Sequence, residues 1–310
     1  MSLALLGTCL AAPAFAQSSS RTDVSWTAEH LPESLQDGRL LALPWPARPL
    51  RAGSRQTTFD LGWESAGADL GDARGELAAA GTTWARSDRF GLGGFVFYDQ
   101  STISGGGTRE RLRPTFENGV PLALPALADF GSPRGQVRHW GVGAYAVWER
   151  PGGGSWRQTI LAGAYLARLD VEGFRFDYQL SSGPDAGARG VLDWSAGYNF
   201  ATPFVGIGWT RPLGRAWTVS PRLIAGQPLP RQRLAGTITG PGFAVHGRSS
   251  GAAVGDAYLG AGLSFEHVRT GVAVDLGSSL WYAGTEPLTH EGLGQALLVH
   301  LAWRGGTRRP

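Results

Sequence analysis

Val272-Ala273-Val274-Asp275-Leu276-Gly277 and, further on, Leu297-Leu298-Val299-His300-Leu301-Ala302-Trp303 are written with a period of two. Over Gly271–Ala283, Val272, Val274, Leu276, Leu280 and Tyr282 fall on one side, and Ala273, Asp275, Gly277 and Ser279 on the other. Successive side chains of a strand point to opposite faces, so this segment is a strand with one apolar face. Over Gly294–Trp303, Leu297, Val299, Leu301 and Trp303 alternate with Ala296, Leu298, His300 and Ala302, ending on an outward aromatic with a histidine on the other face. The same alternation runs along nearly the whole chain with small and polar residues on the second face. That pattern describes a membrane β-barrel.

Working back from this pair, the first strand falls at about 55–66, where Phe59, Leu61 and Trp63 alternate with Thr58, Asp60, Gly62 and Glu64. Residues 75–86 and 90–103 form the next pair around a polar turn, and 104–134 is a long excursion rich in glycine and proline. Segments 136–149 and 156–170 flank a glycine turn, and the second runs on through Phe174–Tyr178 as a protruding hairpin that returns over 191–210. A strand at 217–226, a long loop at 227–255 and a strand at 256–266 precede the final pair. The expectation is an all-β, antiparallel, up-and-down transmembrane β-barrel of about 10 strands, or 12 if the protruding hairpin is divided differently. Short turns and longer loops alternate, which places both termini on one side, the periplasm in outer-membrane barrels. Trp84, Trp148, Trp156, Trp209, Trp217, Trp281 and Trp303 cluster near strand ends, as interfacial girdles require. The competing fold is a water-soluble β-sandwich or barrel of a secreted protein.

Composition agrees with this reading. No segment approaches the ~18 to 20 uninterrupted apolar residues of a membrane helix. The mean hydropathy of -0.12 hides an apolar band, because only every second residue of a barrel strand meets lipid. Every basic residue is arginine; the net charge of +3 suggests an acidic partner only weakly. The arginines are scattered through turns and loops rather than gathered beside stacking aromatics, so no nucleic-acid partner is expected.

The ends differ from the middle. Leu3–Ala12 is a short apolar run before Ala14-Phe15-Ala16, so residues 1–16 read as a secretory signal peptide. It has no Lys or Arg at its start, which suggests that translation begins upstream. Cys9, the single cysteine, follows Thr8 rather than a small residue, against a lipoprotein signal. Cleavage after Ala16 leaves no thiol. Residues 17–54 read as a periplasmic lead-in, or as a plug in which Trp45 and its flanking prolines form a stiff element. Residues 55–304 are the barrel and 305–310 a tail.

With its signal, asymmetric loops, aromatic girdles and a last strand closing on Trp303, the chain resembles the small bacterial outer-membrane β-barrel proteins as a class. The resemblance covers residues 55–303 and departs from the class where Arg304–Pro310 follow the terminal aromatic. It implies outer-membrane localisation, contact with outer-membrane lipid and lipopolysaccharide, and insertion by the barrel-assembly machinery. Larger barrels account for most oligomeric porins, so the expected state is a monomer.

The alternation sends Asp60, Glu64, Asp99, Arg168, Arg222, Glu266, Asp275 and His300 to the lumen, with His139 and Glu149. Mixed charges there pair across the interior, or, through Arg168 and Arg222, form a constriction selecting small charged solutes. A narrow channel is the leading reading; a non-conducting structural or docking barrel is the alternative. Loop arginines Arg109, Arg111, Arg113, Arg231 and Arg233, with Arg248, are candidates for lipopolysaccharide phosphates. An outer-membrane hydrolase comes third: His300, set near Asp275 and Asp60, has general-base potential, and His290 with Glu286 and Glu291 lies in the last loop. Neither has a recognisable nucleophile. Asp193–Gly197 lacks the first glycine of a nucleophile elbow. No histidine pair stands at metal-ligand spacing, so no metal and no cofactor are expected.

Overall fold

The computed structural model describes residues 45–46, 48–68, 71–104, 108–112, 116–117, 120–121, 126–132, 134–182, 186–240, 243–252, 258–282 and 293–307. The proposed signal peptide, residues 17–44, Arg113, His290, Glu286 and Glu291 lie outside them. The strands are β1 (Arg55–Ala68), β2 (Gly71–Ala85), β3 (Phe90–Ser104), β4 (Thr108–Leu112), β5 (Phe116–Glu117), β6 (Val120–Pro121), β7 (Ala126–Phe130), β8 (Arg134–Pro151), β9 (Arg157–Leu180), β10 (Arg189–Leu213), β11 (Trp217–Gly226), β12 (Leu229–Gly240), β13 (Phe243–Ala252), β14 (Tyr258–His267), β15 (Val272–Tyr282) and β16 (Leu293–Thr307).

Ten of these close a ring in the order β1-β2-β3-β8-β9-β10-β11-β14-β15-β16, and every neighbouring pair is antiparallel. The seam is the ladder between β1 and β16, from Arg55 opposite Thr307 to Gly67 opposite Gln295. The expected ten-stranded up-and-down barrel is the one formed. The turns after β2, β8, β10 and β14 lie at the end that carries Arg55 and Thr307, here the terminal end; the remaining connections lie at the far end.

The outside is apolar. Phe59, Leu61, Val96, Val142, Leu166, Val205, Leu223, Val274 and Leu301 are all exposed. Toward the terminal end this belt is edged by Trp84, Trp148, Trp217 and Trp303, and toward the far end by Trp63, Tyr98 and Trp140. From Trp148 to Trp140 a strand rising ~3.3 Å per residue at a tilt of ~40° spans about 20 Å, close to the height of a barrel's hydrocarbon band. Meanwhile Asp60, Asp99, Glu266 and Arg222 are buried inside. An apolar exterior around a polar interior inverts the plan of a water-soluble protein, and places lipid against the outer face.

Two segments read as loops prove to be strands. β12 adds to the far half of β10, with Leu229–Thr239 opposite Val191–Ala201, and β13 pairs with β12. On the other side β7 pairs with β9 and β4 with β7. The cause is the length of β9 and β10, 24 and 25 residues, which run past the rim and present open edges. Edge N–H and C=O groups take up further strands where the sequence permits. A bulge in β9 marks this emergence: between Val171 and Phe174 it carries one residue more than β10, and Gly173 has a φ of 59°. Parity switches there, so Val171 and Tyr178 are both buried.

Inside, side chains of very different size face one another. Tyr145 lies over Gly93, its cross-strand partner, and its hydroxyl meets Thr83 Oγ1 at 2.7 Å. Any Cβ at Gly93 collides with the tyrosine ring. Gly93→Leu is therefore expected to displace Tyr145 and lower the stability of the refolded barrel by about 1–3 kcal/mol, read as a drop in the urea midpoint of the heat-modifiable form; Gly94→Leu, on the outer face, should change it little.

Candidate functional site

The interior divides into two walls. On β3, β8, β9 and β10 it is aromatic: Phe95 lies 6.2 Å from both Tyr145 and Phe204, and Phe97 lies 5.7 Å from Tyr165. Edge-to-face and tilted ring pairs of this kind pack a wall firmly. On β1, β2, β14 and β15 many inward positions are small, among them Ala79, Gly81, Thr83, Ser264 and Ala273, beside the larger Leu77.

Charge is set into both walls. Arg222 on β11 places Nη1 3.3 Å from Asp275 Oδ2 on β15, with both side chains nearly inaccessible. Asp99 and His139, directly opposite on β3 and β8, approach at 3.3 Å between Oδ2 and Nδ1, with side chains 0% and 1% exposed. Phe97 and Phe200 flank that imidazole. Toward the terminal end, Glu149 lies 3.7 Å from Arg157 Nε. Of the described inward side chains, five are carboxylates (Asp60, Asp99, Glu149, Glu266, Asp275) and two are guanidinium groups (Arg157, Arg222). No group of three His, Cys, Asp or Glu suited to a metal ion occurs among the described residues.

Arg168 is not among the inward residues. It stands on the outer face of β9 opposite Trp140, 52% exposed, with Nε 2.8 Å from Asp170 Oδ2. The physical reason is its height: at the rim of the apolar belt the outside meets headgroups and water, so a charged residue no longer marks the lumen. For Glu64 and His300 the backbone alone is described. β16 sets His300 opposite Asp275 and Gly62, while Asp60 pairs with Ala302. Since Arg222 engages the Asp275 carboxylate, the orienting role imagined for it beside His300 loses support. Arg109 and Arg111 lie in β4, and Arg231 and Arg233 in β12, with side chains outside the description.

The feature that alternation leaves unseen is Trp45. Its indole is 3% exposed, lies over the inner-face glycines Gly206 and Gly208 of β10, and receives the Arg222 guanidinium 5.5 Å from the ring centroid. The chain from there to β1 is pinned across the terminal mouth. Arg48 donates through Nη2 to Val268 O of the turn after β14 at 3.1 Å. The Leu50 amide donates to Glu149 Oε2 at 2.9 Å, and the Ala52 amide to Asp88 Oδ1 at 2.9 Å. The signal available in the sequence was Trp45 between prolines, facing two glycines two residues apart on one strand.

No protein-family model and no curated protein matches the chain. Solved structures similar to it include the outer-membrane protease OmpT from Escherichia coli, 10% identical over 82% of this chain and 93% of that one, with a TM-score of 0.41. The translocator domain of the autotransporter NalP from Neisseria meningitidis is 11% identical over 89% and 96%, with a TM-score of 0.41. The monoaromatic hydrocarbon channel CymD is 7% identical over 88% and 93%, with a TM-score of 0.32. The fold is that of an antiparallel up-and-down transmembrane β-barrel. This rests on the closed ladder and the apolar exterior; the named proteins differ among themselves in activity and lend none to this chain.

Removing Arg222 takes its guanidinium partner from the buried Asp275 carboxylate, whereas Arg168 is an exposed pair member. Arg222→Ala should cost about 3–5 kcal/mol of barrel stability and Arg168→Ala about 0–1 kcal/mol, compared by equilibrium urea unfolding in detergent micelles.

Proposed function

We propose that this protein is a narrow outer-membrane channel for small solutes whose terminal mouth is closed at rest by the segment 17–54. The observation that carries the reading is the seat of Trp45: a bulky ring held inside the barrel, against Arg222, by a strap bound to three different parts of the rim. A barrel filled wholly by its own wall has no room for such a ring. In this reading the path runs between the aromatic wall and the small inward residues of β1, β2, β14 and β15 that face it. The preponderance of inward carboxylates favours cations along that path. Arg222 with Asp275 takes the place of the Arg168–Arg222 constriction as the narrow point.

The chain is exported by residues 1–16, inserted by the barrel-assembly machinery and works as a monomer in this reading; Arg109, Arg111, Arg113, Arg231 and Arg233 meet lipopolysaccharide. The non-conducting barrel is the second reading, favoured by the near-complete burial of Asp99, His139 and Arg222.

Planar-bilayer recording separates the two. Full-length protein should be nearly silent, while deletion of residues 17–54 and the Trp45→Ala variant should both give discrete current steps. Silence of the truncated, folded barrel would end the channel reading.

A further inference from the structure

The turns at the terminal end bring together arginines that are far apart in the sequence. Arg86 and Arg89 flank Asp88 after β2, Arg150 closes β8, Arg211 and Arg215 border the turn after β10, and Arg269 lies after β14. Arg51 and Arg55 join them at the entry to β1. Among the described exposed side chains of this end, eight are arginines and one, Asp88, is a carboxylate. No ion pair engages these eight among the described residues. The far half carries exposed acids among its arginines: Arg138 pairs with Glu172, Arg168 with Asp170 and Arg175 with Asp177, while Arg134 and Arg189 have no ion pair among the described residues. The chain's modest net charge of +3 thus conceals a basic collar at one rim.

The collar lies at the depth of the tryptophan girdle. The Arg55 guanidinium stands 5.5 Å from the Trp84 ring and that of Arg211 5.7 Å from Trp156. Tryptophan belts sit at headgroup level, so these cations are held at headgroup level too. Beside Arg150 the outer surface carries a cavity of about 610 Å³ lined by Arg150, Trp156, Gln158, Trp209 and Pro221, and Arg211 reaches its edge through the Trp156 ring. It is apolar toward the belt and cationic toward the rim, the division of a phospholipid near its phosphate.

We infer that this collar binds the phosphates of anionic phospholipids in the leaflet at the terminal end, with the Arg150–Trp156–Trp209 cavity seating one lipid. A guanidinium fork matches phosphate oxygens in a bidentate way, and basic residues near an anionic surface each contribute on the order of 1 kcal/mol. The occupant is a lipid rather than an acidic protein because the cavity opens from the girdle, where the surrounding medium is already lipid. The inference rests on the membrane barrel and is independent of any conductance.

The test uses full-length barrel in nanodiscs of phosphatidylcholine with a minority of phosphatidylglycerol, and native mass spectrometry of the lipids retained on release. Phosphatidylglycerol should be enriched on the wild type. In Arg150→Gln/Arg211→Gln/Arg215→Gln the enrichment should fall about fivefold per arginine removed, with the variant still heat-modifiable. Arg138→Gln/Arg168→Gln, at the other rim, should retain it. No enrichment on the wild type, or equal loss in both variants, would overturn the inference. Collar-dependent binding of polyglutamate without phosphatidylglycerol enrichment would overturn it in favour of an acidic partner.

Discussion

A strand that crosses hydrocarbon cannot leave its N–H and C=O groups unpaired, since each costs several kcal/mol there. The ladder between β1 and β16 meets that demand by joining the first barrel strand to the last, and the rest of the molecule follows from it. Closure brings the two ends of the barrel to one rim, which is why the segment before Arg55 is delivered to the mouth. Closure also locks register. A slip of one residue exchanges the faces of a strand, driving Asp60 into lipid and Leu61 into the interior. The alternation that makes the chain readable is therefore the one that its backbone enforces.

Location decides what each charge does. Inside, Arg222, Asp275 and Trp45 form one stack, an ion pair with an aromatic ring above the guanidinium, so that strap and wall share a residue. Outside at the far rim, acids and arginines alternate along β8 and β9 and compensate one another. At the terminal rim the eight exposed arginines have no ion pair among the described residues, and the interfacial tryptophans set the height of Arg55 and Arg211. The same guanidinium group thus meets an aromatic ring, a carboxylate or an interfacial tryptophan according to where the ring of strands places it.

How much of this was legible in the sequence varied with the strength of the face signal. β1, β15 and β16 alternate strongly, and their faces follow from Phe59, Leu61, Val274 and Leu301 alone. β9 has apolar residues on both faces: Ile160 and Leu166 look outward, while Leu161, Tyr165 and Leu169 look inward. Polarity then had to decide, and Arg168, beyond the belt, pointed the wrong way. The strands β12 and β13 were missed because what recruits β12 is the open edge of β10, a tertiary circumstance that no local propensity expresses. Trp45 and its prolines read as a stiff element, but the seat of the ring depends on Gly206 and Gly208, distant in the chain. The basic collar was invisible for the same reason, since turns scattered in sequence become one rim only when the ring closes.

The central claim, a closed barrel with lipid outside and polar groups inside, is tested most directly by nitroxide scanning along residues 272–277 of β15 and 58–63 of β1 in lipid vesicles. The account predicts that collision with dissolved oxygen peaks at Val272, Val274, Leu276, Phe59, Leu61 and Trp63 and falls at the residues between them. Uniform accessibility to a water-soluble nickel reagent along both strands would contradict it.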